Sequence, residues 1–234
     1  MNANVLPRSA LSGSEALGVA TGQFCTEPQG WNPRSFAREQ IRGLVRRIFF
    51  SNTGQAVKQV VFSAAGPGID ASDICDRVGQ ALAVETAVEI AIVSRNPSET
   101  QLSRSQAYPC ASGSAIKSCS LQIASNLWCV PECGLRELSP EQATTERFWH
   151  WALAELRNDF EYVVIEGPTT GASSESGMLG QLTDGIILVL EAHVTRKATA
   201  RQIKETLESM RCRILGTVLS ERTFPVPEGI YRRL

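Results

Sequence analysis

The side chains able to do chemistry are few and scattered. Seven cysteines occur, Cys25, Cys75, Cys110, Cys119, Cys129, Cys133 and Cys212, an odd number with no Cys-x-x-Cys pair. Cys129 and Cys133 are closest, but no second pair accompanies them, and His150 and His193 each stand alone. No metal site is expected from such a set. Several of the thiols lie in apolar runs, which fits reduced cysteines in a reducing cytoplasm. The other candidates are the residues that close apolar runs, at Ala65, Ser94, Glu166 and Ser220. What they can do depends on the elements that bring them together.

Residues 1–35 are rich in Ser, Gly, Pro, Asn and Thr without an apolar period, and read as a flexible arm. From Phe36 on, Ile41, Leu44, Val45 and Ile48 recur at helical spacing, with Arg38, Glu39, Arg42 and Arg46 on the other side. A β-branched run over 57–65 reads as a buried strand, and Gly66-Pro67-Gly68 must then turn. A helix over about 70–85 faces Ile74, Val78, Ala81 and Leu82 inward, and a second strand follows over 88–93. Residues 95–120 are polar and read as a long loop before a third strand at Leu127-Trp128-Cys129-Val130. Ser139-Pro140-Glu141-Gln142 has the form of a helix start, and Trp149, Ala152, Leu153 and Leu156 give that helix its buried face. Trp149 and Trp151 read as core and flank rather than as a binding platform. Strands at 162–165, 185–190 and 214–219 complete the pattern, with a helix buried through Ala200, Ile203, Leu207 and Met210 between the last two. Continuously apolar strands alternating with helices predict an α/β three-layer domain over 36–234, its mainly parallel sheet covered on both faces. Ligands of such domains bind beyond the carboxyl ends of the strands, where Ala65, Ser94, Glu166 and Ser220 fall.

The composition agrees. The chain has 234 residues, 43% hydrophobic and 20% charged, with a formal net charge of −1. That balance fits a globular protein and gives no reason to expect nucleic acid as a partner. No apolar run is long enough to span a bilayer, and the first 30 residues lack the basic start and apolar block of a secretory signal.

The order and spacing of several segments resemble the cytoplasmic domain of the bacterial tyrosine kinases (BY-kinases) of capsule and exopolysaccharide synthesis, members of the MinD/ParA-like P-loop class. The segments are Glu39-Gln40-Ile41-Arg42-Gly43-Leu44, Asn126-Leu127-Trp128-Cys129-Val130-Pro131, Phe160-Glu161-Tyr162-Val163-Val164-Ile165-Glu166-Gly167-Pro168 and Thr183-Asp184-Gly185-Ile186-Ile187-Leu188-Val189. Leu215-Gly216-Thr217-Val218-Leu219-Ser220 is similar in the same sense. The resemblance implies a P-loop fold and a phosphate loop of the form A-x-P-G-E-G-K-S-T. Here that stretch reads Ala65-Gly66-Pro67-Gly68-Ile69-Asp70-Ala71-Ser72-Asp73. Ala71 stands at the lysine and Asp70 at the preceding glycine. A phosphate loop works through backbone N–H groups and an ammonium aimed at the phosphates. Without that cation, and with the carboxylates of Asp70 and Asp73 added, the loop would repel a triphosphate.

The family's other nucleotide positions depart too. Ser94-Arg95-Asn96 replaces the D-x-D after the second strand, Glu166 replaces the aspartate after the fourth, and Ser220 replaces the base-contacting asparagine. Ser72 remains at the Mg²⁺ position, where it is equally an ordinary first-turn residue. Phosphoryl transfer rests on positioning and charge neutralisation, so no catalytic residue and no cofactor are expected. Instead Asp70 is expected to cap the following helix, with Asp73 reaching back to it. The resemblance further implies subunit contacts through the first helix. Glu39 and Arg42 are kept, Val45 takes the last position of that motif and Arg46 follows, so Glu39, Arg42 and Arg46 are either an interface or a solvated face. Tyr231 is likewise either a phosphosite or a tail tyrosine packed on the domain. The expectation is a non-catalytic interaction or regulatory protein of exopolysaccharide assembly, cytoplasmic or held at the inner face of the membrane by a partner. Its partners would be an active kinase subunit, a membrane polysaccharide co-polymerase, or further copies of itself. The alternative is an atypical tyrosine kinase or ATPase using ATP and Mg²⁺ with a relocated cation.

Overall fold

The computed structural model describes residues 33–51, 56–97, 114–140, 143–171 and 173–220. Most of the predicted arm, Cys25, Cys110, Glu141, Gln142 and Tyr231 lie outside the described residues. The elements are α1 (Pro33–Phe49), β1 (Gln59–Ala64), α2 (Ser72–Glu85), β2 (Ile90–Ser94), α3 (Ala115–Ser118), β3 (Leu121–Ala124) and β4 (Leu127–Pro131). They continue as α4 (Glu132–Leu138), α5 (Thr145–Asp159), β5 (Tyr162–Gly167), α6 (Glu175–Leu182), β6 (Gly185–Glu191), α7 (Lys197–Ser209) and β7 (Ile214–Ser220).

The strands form one seven-stranded sheet in the order β3-β4-β2-β5-β1-β6-β7. All neighbours pair in parallel except β3, which runs antiparallel to β4. Every residue of β1 and β2 is buried, which is why these strands read as continuous rather than alternating apolar runs. Side chains still alternate between the two faces. Val61, Val163, Ile165 and Leu188 join α5, α6 and α7 in one core through Trp149, Leu156, Leu179 and Leu207. Val60, Phe62, Ile92 and Val189 meet α1 and α2 in the other through Val45, Ile48, Val78 and Leu82. Trp149 is fully buried and Trp151 packs at the margin, core and flank of α5 as expected.

The amino end of the sheet is fixed by polar residues. The Asp184 carboxylate accepts the backbone N–H groups of Lys58 and Gln59, both at 2.8 Å. Buried Gln59 donates to the Leu153 carbonyl at 2.9 Å and accepts from Arg157 at 2.9 Å. Gly185 follows Asp184 because a Cβ there would lie 2.7 Å from the Arg213 carbonyl oxygen.

Two sequence expectations need correction, and one helix was not foreseen. The loop expected over 95–120 contains α3, and β3 follows it before the third predicted strand; each is only four residues long, too short to show a period. Ser139 does not start a helix. Its hydroxyl donates to the Arg136 carbonyl at 3.0 Å, closing α4, and Thr144 is the N-cap of α5. The helix α6, with glycines at 177 and 180, carried too weak an apolar period to be read.

Candidate functional site

The parallel register brings the expected residues to one edge. Strand β5 lies between β2 and β1, with Phe62 beside Glu166 and Val93 beside Ile165. Ser94, Glu166 and the turn after β1 therefore share the carboxyl end of the sheet. Behind the turn, the Thr170 N–H donates to the Ala64 carbonyl at 2.9 Å, and the Ser63 hydroxyl donates to the Pro168 carbonyl. These bonds tie the segment after β5 to the end of β1.

The turn after β1 engages the donors of Ser72 internally. Gly68 takes φ +85°, a conformation that glycine adopts without a Cβ penalty. The Asp70 carboxylate Oδ1 accepts from the Ser72 backbone N–H at 2.8 Å and from the Ser72 hydroxyl at 2.6 Å. Asp70 thus serves the first turn of α2 as expected, but from one residue before the N-cap, which is Ala71. The predicted reach of Asp73 back to Asp70 gives way to a stronger partner. Its carboxylate pairs with Arg77 one turn on, at 2.9 and 3.0 Å. Ala71 is 5% exposed and packs with Ile74 and Cys75 against the α1–α2 core.

Glu166 is clamped from β2. Its Oε2 accepts from the Ser94 hydroxyl at 2.9 Å and from the Arg95 N–H at 3.2 Å. Burial pushes its carboxyl above the ordinary range; those two bonds oppose the shift, and the nearby Asp70 charge adds to it. Burial also drives the Cys75 thiol well up, with Glu166, Asp76 and Asp70 adding to it, and holds Cys129 at about 12. Neither thiol is a nucleophile in this state. Asn96 is exposed, and the Ser220 hydroxyl donates to the Leu190 carbonyl at 3.1 Å.

A charged ladder that no sequence pattern foretold stands beside this edge. Arg95 approaches Glu132 at 3.6 Å, and Arg136 meets the same carboxylate at 2.6 Å. The Arg136 guanidinium lies 4.3 Å from the Phe148 ring centre, and the Trp149 indole N–H donates to Glu175 at 2.8 Å. The spacing of four between Glu132 and Arg136 is the local signal that could have pointed to part of it. No group of three or more His, Cys, Asp and Glu side chains suited to a metal occurs among the described residues. No described helix is long and apolar enough to cross a membrane.

The first-helix residues are drawn toward α2. Arg46 forms two contacts with Glu85 at 3.2 and 3.3 Å, while Arg42 lies 3.9 Å from both Glu39 and Glu85. Part of the charge expected to face a second subunit is therefore met within the chain.

No family model matches the chain. Tyrosine-protein kinase CpsD of Streptococcus agalactiae serotype III is 23% identical over 83 residues, which span 36% of this chain and 36% of that relative. Among solved structures, the VpsO kinase domain superposes with a TM-score of 0.58 at 20% identity, covering 81% of this chain and 98% of the other. The kinase domain of Escherichia coli tyrosine kinase ETK gives 0.57 at 14% identity, over 82% and 79%. The MinD cell division protein of Aquifex aeolicus gives 0.52 at 16% identity, over 70% and 69%. The chain therefore has the α/β fold shared by the VpsO kinase domain, the kinase domain of tyrosine kinase ETK and MinD.

Proposed function

We propose that this chain is a non-catalytic protein of the P-loop fold that acts as an interaction or regulatory partner in exopolysaccharide or capsule biosynthesis. The observation that carries the reading is the double hydrogen bond from Ser72 to Asp70. A carboxylate of the chain takes the backbone N–H and the hydroxyl of Ser72 at the start of α2, and the lysine position is a buried alanine. The residues present do not fit Mg-ATP. The Ser72 hydroxyl is spent on Asp70, Glu166 is spent on Ser94 and Arg95, and each carboxylate disfavours a polyphosphate at the same edge. The similarity to CpsD and the kinase-domain folds supports a setting among tyrosine kinases, with an active kinase subunit or a polysaccharide co-polymerase as partner and a place at the inner face of the membrane through it.

The alternative, an atypical ATP-dependent tyrosine kinase, has one residue in its favour: Arg95, a cation at the same edge, 41% exposed. Its guanidinium is directed to Glu132, however, and not to the loop. Phosphorylation assays on tyrosine peptides separate the two. The wild type and an Asp70→Gly/Ala71→Lys variant should both be inactive, because Ser94, Asn96 and Ser220 remain unsuited to nucleotide. Turnover by the wild type would falsify the non-catalytic reading.

A further inference from the structure

The open end of the β3–β4 hairpin carries two thiols on separate elements. Cys119 closes α3 just before β3, and Cys133 lies in the first turn of α4, just after β4. Neither is in a disulfide. Gly134 lets them approach. A Cβ built on that glycine would lie 3.2 Å from the Cys119 Cβ, 3.3 Å from its Sγ and 3.4 Å from its carbonyl oxygen. Cys119 therefore lies against the α4 backbone beside Cys133, whose Cα is one peptide unit, about 3.8 Å, from that of the glycine. The charges that act on the Cys119 thiol lie on the same stripe of α4. Burial lifts its pKa most, and Cys133 and Glu137, one helical turn apart, add to the rise. The two thiols differ in access. Cys133 is exposed, whereas Cys119 is half-buried and its Sγ donates to the Ile116 carbonyl at 3.1 Å. Cys75, Cys129 and Cys212 are buried, so Cys133 is the thiol that meets solvent first among the described residues.

We propose that Cys119 and Cys133 are a reversible thiol–disulfide site, oxidised by a small-molecule disulfide, whose closure fastens the open end of the β3–β4 hairpin to α4. The Cys133 thiolate attacks one sulfur of the oxidant and bonds to it, and the other half leaves as a thiolate that takes up the proton Cys133 gave up. Cys119, deprotonated in turn, attacks the Cys133 sulfur of the mixed disulfide and expels the second half as a thiol. Two protein thiols become one disulfide while one small disulfide becomes two thiols, so electrons and protons balance without a further reactant. Disulfides join Cβ atoms about 3.5–4.5 Å apart, and Cys119 already meets the Cβ position of the next residue inside that span. Closing the pair asks for a slide of the short helix α3 over the first turn of α4 and the loss of the Ile116 bond. The gain falls on β3, the edge strand of the sheet, which pairs with β4 alone. A covalent tie across the base of the hairpin restricts the open forms that such an edge can visit.

The test uses the full chain, first reduced and then held in glutathione buffers of rising oxidised fraction. Remaining thiols are alkylated and the peptides are mapped without reduction. A peptide pair linked through Cys119 and Cys133 should accumulate and should disappear on addition of dithiothreitol. Amide hydrogen exchange in β3 should slow about tenfold or more in the oxidised form. Cys119→Ser should stop at a mixed disulfide of glutathione on Cys133. Cys133→Ser alters an exposed side chain; it should leave Cys119 as a thiol and β3 exchange at the reduced rate in every buffer. Glutathione accumulating on wild-type Cys133 with no linked peptide would overturn the proposal. So would linkage of either thiol to Cys25, to Cys110 or to a second chain in place of the pair, or a linked pair that leaves β3 exchange unchanged.

Discussion

Asp70 decides how the loop behaves. Its carboxylate takes the Ser72 N–H and hydroxyl, so Asp70→Ala leaves the first turn of α2 short of an acceptor. Stability should fall by about 0.5–2 kcal/mol, read as a lower urea midpoint at unchanged m-value; an unmoved midpoint would show that the bond is dispensable. Glu166 gives a second, pH-dependent prediction. Its folded carboxyl titrates above the unfolded value, so folding favours its protonated form. That contribution is fully present below the unfolded value and is lost as pH rises through the folded one. Glu166→Gln keeps an acceptor for Ser94 and Arg95 without the charge. It should be more stable than the wild type at neutral pH, with the difference shrinking as pH falls through the raised range. Chemical denaturation at neutral and acidic pH measures this, and a pH-independent difference would contradict the shift.

Among the elements, the sheet was legible and its trimmings were not. The runs that became β1, β2, β4, β5 and β6 are largely buried, so apolar character alone marked them, and the edge strand β7, with only half-buried and exposed residues, kept enough apolar side chains to be read as well. The antiparallel edge β3 has only half-buried and exposed residues, and its place depends on pairing with β4, which no local pattern encodes. The same holds at the site. The convergence of Ser94 and Glu166 followed from strand ends, whereas the link from Arg95 through Glu132 to Arg136 spans separate elements. The predicted Asp70–Asp73 contact failed because Asp73 has Arg77 at i+4. Helix α2 joins the loop and the second core. Its fully buried Leu82 packs in that core, and Leu82→Ala should cost about 2–5 kcal/mol. A cost below 1 kcal/mol in thermal or urea unfolding would mean that α2 is not anchored as described. Exposed pairs such as Arg46–Glu85 contribute much less, about 0–1 kcal/mol.

At the scale of the molecule, the carboxyl edge of the sheet carries the chain's own carboxylates, Asp70 bound to Ser72 and Glu166 to Ser94 and Arg95. The non-catalytic reading proposed above rests on that arrangement. The most direct measurement is isothermal calorimetry of Mg-ATP with the full chain, run beside thermal unfolding. A nucleotide that bound the folded state would stabilise it by about 2.7 kcal/mol at 100 times its Kd. The account predicts no binding heat and an unchanged Tm at millimolar Mg-ATP. Saturable micromolar binding with a raised Tm would contradict it, because the Asp70 carboxylate would then have to leave Ser72 to admit the phosphates.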